Sequence, residues 1–316
     1  MNTAVYLPLL TAVLLGVSAP ALARRLPPAT ATRLLTGGAV LVAATTSFVL
    51  AVLAFILLGQ LPLVASLGEW SGQALAAANP VPNAVTATAL VAVCLLAATT
   101  GYAIVTRARA VIAARALCQR LGGRPGQLVV VDDDEADVFA VPAAGGRIVA
   151  SRSLLQSLSP AERRAVLAHE TAHLEHRHYA YRLAADLAAA VNPLLRPVTT
   201  AVHYASERWA DEVAAATVGD RKTVAAALAR ASLRHRTRTR FAAWTPATLS
   251  AAGTTVIARV EALLEPAPRP RRALVLAVLT LLAVTLLATA EAQRDTEHLF
   301  EHSATTATAV VTGPHT

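Results

Sequence analysis

The chain contains Ser159-Pro160-Ala161-Glu162-Arg163-Arg164-Ala165-Val166-Leu167-Ala168-His169-Glu170-Thr171-Ala172-His173, a stretch that reads as a helix with its start fully signalled. Ser159 suits the N-cap, Pro160 the first helical position and Glu162 the capping-box position. Val166, Leu167 and Leu174 mark a side that faces a core, and the helix is expected to run to about His176. His169 and His173 are four residues apart, so their imidazoles share one face, one turn apart, and can grip a single ion. Glu170 is rotated from His169 by about 100°. From there it can reach a water on the ion without being a ligand. This HExxH spacing is a signature of metalloproteases. The segment is histidine-rich, with His176 and His178 following, but the cap and the apolar flanks argue against a chance match.

A catalytic zinc needs a third protein ligand and an open position. On a straight helix His169, His173 and His176 form a stripe about 10 Å long, too long for one ion bound at about 2 Å. His178 points elsewhere on the same straight helix. The extended metzincin spacing is excluded, because His176 and Tyr179 stand where it needs Gly and His. A carboxylate from further along is the better candidate. Within Ser206-Glu207-Arg208-Trp209-Ala210-Asp211-Glu212, Glu207 and Asp211 are four apart on one helical face. Glu207 is the expected third ligand, with Glu212 as its rival. Asp211 is expected to hydrogen-bond the far nitrogen of a ligating histidine and fix its tautomer. One Zn2+ per chain is the expected cofactor. The competing reading of this segment is a surface helix with scattered charge.

Hydrophobic residues make up 55% of the 316 residues and charged residues 15%, against about a quarter charged in a soluble domain. The deficit is concentrated. Met1–Ala23, Leu34–Gly68, Ala84–Val105 and Ala273–Ala290 contain uncharged runs rich in Leu, Val and Ala, each about as long as a bilayer crossing requires. The predicted spans are about 1–23, 36–59, 84–106 and 273–290. Ala21-Leu22-Ala23 resembles a leader-cleavage site, but the basic residues Arg24, Arg25 and Arg33 follow the apolar run. The expectation is therefore an uncleaved first span with its N-terminus outside. Of 28 Lys plus Arg, 24 lie in 106–272, where 15 acidic residues leave a net charge of +9. The positive-inside rule then places 24–33 and 106–272 in the cytoplasm and both termini outside, with 291–316 as a short extracellular tail. The basic block suits anionic lipid headgroups, and no recognition motif suggests direct nucleic-acid binding. The cysteines, Cys94 and Cys118, are too few for a thiolate metal site and are not expected to pair. No acidic, basic or histidine side chain interrupts the four uncharged runs, which disfavours a transporter.

Within 107–272, Gln127–Val131, Val138–Val141 and Arg147–Ala150 are short β-branched runs separated by turn-rich sequence, consistent with a hairpin or small sheet. Asp132–Asp137 reads as a solvated turn. Asn192-Pro193 breaks the helical pattern, and helices are expected over about Val202–Thr217 and Val224–Leu233. Arg234–Arg240 is read as a solvated or headgroup-facing basic run, and His298 and His302 as polar tail residues.

Leu158–His173 together with Glu207-Arg208-Trp209-Ala210-Asp211 resembles the membrane metallopeptidases of the gluzincin type, in which the zinc helix is followed by a second helix bearing ExxxD. Heat-shock membrane proteases and CAAX prenyl proteases share this layout. Asn192-Pro193-Leu194 and the order of three spans, a cytoplasmic domain and a fourth span resemble the antirepressor peptidases of the β-lactam-sensor family. Those sensors carry a penicillin-binding domain after the fourth span. Here Glu291–Thr316 follows it, so β-lactam sensing is not expected. The resemblance implies a mainly α integral membrane protein of four transmembrane helices, with a cytoplasmic α-rich zincin domain bearing a small β-sheet. It also implies that the strand Arg147, Ile148, Val149, Ala150 lends an edge to an extended substrate. The implied function is a zinc endopeptidase acting on cytoplasmic or membrane-associated proteins. Its substrate would be a transcriptional repressor, or a misfolded membrane protein in quality control. A non-catalytic sensor scaffold of the same fold is the alternative. Tyr179, His203 and Arg208 are the candidates for oxyanion stabilisation.

Overall fold

The computed structural model describes residues 6–67, 70–79, 81–122, 124, 126–132, 138–142, 146–235 and 249–311. The first five residues of span one, the acidic turn at 133–137, the insert at 143–145, the basic run at 236–240 and the tail at 312–316 lie outside the described residues. In chain order the elements are α1 (Leu7–Arg25), α2 (Pro28–Leu58), α3 (Pro62–Leu67), α4 (Gly72–Ala78), α5 (Asn83–Leu121), β1 (Leu128–Val131), β2 (Val138–Val141), β3 (Arg147–Ser151), α6 (Arg152–Ser157), α7 (Pro160–Glu175), α8 (His178–Val191), α9 (Arg196–Val218), α10 (Arg221–His235), α11 (Leu249–Leu264) and α12 (Arg272–Val311). A 3-10 turn at Pro193–Leu195 joins α8 to α9. The protein is mainly α-helical, and Leu7–Arg25, Pro28–Leu58, Asn83–Arg120 and Arg272–Glu301 are long and apolar enough to cross a membrane.

These helices overrun the uncharged stretches, because loss of hydrophobicity does not by itself end a helix. Pro28 supplies a ready-made first turn for α2 well before the uncharged run begins. α5 continues past Arg107 until Gly122, whose φ of 65° stops it. That extension places Ala114 and Cys118 against Val141 and Val149 of the sheet. Cys94 and Cys118 are both free, the first exposed and the second buried.

The sheet has the order β1-β3-β2. β3 pairs parallel with β1, Leu128 opposite Ile148, and antiparallel with β2, Phe139 opposite Val149. This corrects the assignment of Arg147–Ala150 as a substrate-binding edge. β3 is the central strand, its backbone ladder is taken up on both sides, and a further strand can only add outside β1 or β2. Complete burial of β3 follows from that position.

One apolar core joins α1, α2, α8, α9 and α12 through residues such as Leu15, Leu35, Ala185, Val198, Val202 and Leu282. The α8–α9 corner is wedged against the apolar helices. Asn192 donates from Nδ2 to Thr46 Oγ1 at 3.2 Å, while its Oδ1 accepts from the Leu194 amide at 3.1 Å. Gly16 faces Leu194 O so closely that a Cβ at residue 16 would lie 2.8 Å from that carbonyl oxygen. A second core, containing Leu154, Val166, Ala214, Val224 and Leu263, packs α6, α7, α9, α10 and α11 together. α9 is common to both.

Gly16→Ala is therefore expected to lower the thermal midpoint of the detergent-purified chain, since overpacking costs about 1–3 kcal/mol. Gly37→Ala is the control, because a Cβ there meets nothing within 4 Å. Equal midpoints for the two variants would mean that α1 does not hold the corner.

Candidate metal centre

The start of α7 has the predicted capping box. Ser159 Oγ accepts from the Glu162 amide at 3.3 Å, and Glu162 Oε2 accepts from the Ser159 amide at 2.9 Å. That cap fixes where the helix begins and hence which side of it carries His169 and His173. The opposite wall is α9, which supplies Glu207 and Asp211.

The structure brings His169, His173 and Glu207 together, with one ligand atom from each lying within 4.8 Å of the others. His169 Nε2 and His173 Nε2 are 3.1 Å apart. Glu207 Oε2 is 3.5 Å from His169 Nε2, and Oε1 is 3.4 Å from His173 Nε2. Zinc bonds of about 2.0–2.1 Å at tetrahedral angles put neighbouring donors about 3.4 Å apart. Two imidazole nitrogens and a carboxylate at these separations fit that ion. Glu212, the rival ligand, is engaged instead with Arg221. His176 caps α7 and stacks its ring on Trp209, with centroids 4.7 Å apart and planes at 20°.

Each histidine turns Nε2 to the centre and Nδ1 to a supporting group. His169 Nδ1 lies 3.0 Å from Asp211 Oδ1, so Asp211 stands where the spacing put it. His173 Nδ1 lies 2.9 Å from His178 Nδ1. His178 thus does not point elsewhere, because α7 ends before it and the straight-helix assumption fails.

Two arginines complete the site. Arg259 on α11 donates from Nε to Asp211 Oδ2 at 2.8 Å, from Nη2 to Oδ1 at 2.7 Å, and from Nη1 to Glu207 Oε2 at 2.7 Å. Arg182 on α8 donates to Glu207 Oε1 and, at 2.8 Å, to Ser206 Oγ. Neither arginine was singled out from sequence. A signal did exist for Arg259, which is four residues before the buried Leu263 in an apolar helix and so shares its inward face.

Burial is the largest influence on the Glu207 and Asp211 carboxyls and would raise both, but their partners together outweigh it and hold them below their usual range: Arg259, Arg182, His173 and His169 at Glu207, and Arg259 and His169 at Asp211. Burial likewise opposes charge on His169, yet hydrogen bonds to Asp211 and Glu207 push it up to about 10. His173 is driven well down, chiefly by burial. Glu170 follows His169 on α7, and its charge contributes to the field that raises Arg259.

Two oxyanion candidates are committed elsewhere. Arg208 is buried and donates from Nη1 to Ala23 O at 2.8 Å and Arg24 O at 3.2 Å, satisfying the C-terminal carbonyls of α1. His203 pairs with Asp186 at 3.2 Å. Tyr179 is 44% exposed, outside the buried cluster.

Residues 105–190 match the model of Peptidase family M48. Over 73 residues the chain is 41% identical to a "Protease HtpX homolog" of Aeropyrum pernix, a stretch covering 22% of this chain and 23% of that relative. No solved structure matches. The matched family segment includes the HExxH helix and α8, and stops before Glu207 and Asp211. It supports the resemblance to membrane-bound zinc metallopeptidases.

Replacing Arg259 with Met leaves the buried Asp211 carboxylate and the part-buried Glu207 without their shared cation, and breaking a buried pair typically costs about 3–5 kcal/mol. The metal-free variant is expected to unfold at a markedly lower temperature at neutral pH. Because Asp211 titrates below its ordinary value when folded, its contribution is present above that value and is lost as pH falls through the lowered one. The gap between wild type and variant should therefore shrink in acid. An unchanged neutral midpoint would mean that the Arg259 pairs do not hold α11 in place.

Proposed function

We propose that this chain is a membrane-bound zinc endopeptidase in which His169, His173 and Glu207 hold the ion and Glu170 is the general base. The observation that carries this reading is the set of donor separations, 3.1, 3.4 and 3.5 Å, around one point. The match of the α7 segment to a peptidase family supports it. When bound, zinc supplies Lewis acidity toward water and the scissile carbonyl. Glu170 accepts the proton of the attacking water and delivers it to the leaving amine nitrogen. Asp211 and Arg259 hold His169 and Glu207 in place, so the ligands are oriented before an ion arrives.

The distribution of basic residues supports a site on the cytoplasmic side, with both termini outside. The substrates are then cytoplasmic or membrane-associated proteins. A repressor cleaved for regulation is one candidate, on the antirepressor resemblance, and a misfolded membrane protein is another. A scaffold that signals without turnover would have no use for a carboxylate at residue 170 beside the ligands.

The deciding experiment measures metal content and cleavage of an unfolded test protein by the detergent-purified full chain. About one zinc per wild-type chain and chelator-sensitive cleavage are expected. Glu207→Ala should lose the zinc. Glu170→Gln should keep it and lose activity by about 10²–10⁴-fold. A folded wild type that binds no zinc would sink the proposal, and full activity in Glu170→Gln would remove the general base.

A further inference from the structure

His173 and His178 would not meet on an uninterrupted helix, since five residues turn the side chain by about 140°. The chain makes them meet by breaking the helix between them. α7 ends at Glu175, His176 forms its cap, and Arg177 takes φ 52° and ψ 43°. Arg177 is the one non-glycine residue with positive φ among the described residues, in a conformation that L side chains disfavour. α8 then starts at His178, and its first side chain folds back onto α7. The His178 ring has no exposed surface, so it is a polar group taken wholly out of water. It lies on the Trp209 ring at 4.8 Å and beside His176 at 5.9 Å. Its Nδ1 meets His173 Nδ1 at 2.9 Å.

Two facts set the direction of that hydrogen bond. His173 turns Nε2 toward Glu207 and His169. An imidazole that gives Nε2 to a metal must carry its proton on Nδ1. We infer that His178 is a positioning residue for the metal centre: its Nδ1 accepts the Nδ1 proton of His173, which fixes the tautomer and ring angle that present Nε2 to the ion. This rests on the zinc reading above and extends it. The two histidines are then supported unequally, His169 by the carboxylate of Asp211 and His173 by the imidazole of His178. The left-handed residue at 177 is what brings that second support into place.

The test is zinc affinity of the full chain in detergent, measured by competition with a chromophoric chelator, together with the thermal midpoint of the metal-free protein. His178→Phe keeps the ring and its stacking but removes the acceptor. His178→Asn keeps an acceptor near the Nδ1 position and removes the stacking. The inference expects His178→Phe to fold with a metal-free midpoint close to wild type and to bind zinc about 10–100-fold more weakly. His178→Asn should recover most of the affinity even if its midpoint falls. If Phe does not fold, His178→Leu takes its place in the same comparison. Wild-type affinity in the variant without an acceptor would overturn the assignment, as would Asn binding no better than that variant. Zinc lost in Glu207→Ala but unaffected by His178→Phe refutes only the role of His178. A folded wild type without zinc affinity overturns the zinc reading and this assignment together.

Discussion

The Asp211 carboxylate is 2% exposed, and both its oxygens are in use. Oδ1 faces His169 Nδ1 on α7, and the guanidinium of Arg259 on α11 grips both oxygens. One buried anion thus ties three helices around the candidate metal centre. A buried carboxylate without such partners would neutralise or destabilise the fold. With them, it sets the orientation of His169 and fixes the cation that also holds Glu207. The geometry of the three donors depends on this contact more than on any apolar one, because packing alone does not choose which ring nitrogen faces the centre.

α9 carries that carboxylate and also belongs to the apolar core shared with α1, α2 and α12. Its first half offers Val198, Ala201, Val202 and Ala205 to the helices that can cross a membrane, while Ala214 and Ala215 pack in the second core with α7, α10 and α11. Arg208 lies between them and caps α1 through Ala23 O and Arg24 O. Glu207 and Asp211 flank that arginine in sequence, so the helix that supplies the third donor is docked onto the end of an apolar span. The site and the bundle are one packed unit, and a shift of α1 against α9 would be felt at Glu207 without any intervening hinge.

Much of this was legible in the sequence because it is local. The capping box, the paired histidines and the Glu207–Asp211 spacing each lie on a single helix, where periodicity fixes the relative direction of side chains. The uncharged runs announced four apolar helices for an equally simple reason, the length of hydrocarbon to be crossed. The stop of α5 was legible too, since Arg107–Leu121 reads as helix and Gly122-Gly123-Arg124-Pro125-Gly126 as its break, but the limits of the spans as helices were less so. α2, α5 and α12 overrun the uncharged runs because their limits are set by Pro28, Gly122 and continued helix-forming sequence rather than by polarity.

What stayed hidden depends on the path of the chain in space. Strand order cannot be read from three short β-branched runs, and the strand assigned an edge is the one enclosed by the other two. Arg182 and Arg259 come from α8 and α11, and nothing near the HExxH helix in sequence names the cations that will hold its carboxylate partners. His178 is the sharpest case. It is close in sequence to the motif, yet a helical projection turns it away, because projection assumes a regular backbone and Arg177 breaks that regularity. The strained residue has no glycine, proline or capping side chain to advertise it. Its conformation makes sense only with the buried histidine pair it creates, so the local strain and the contact that offsets it have to be read together from the structure.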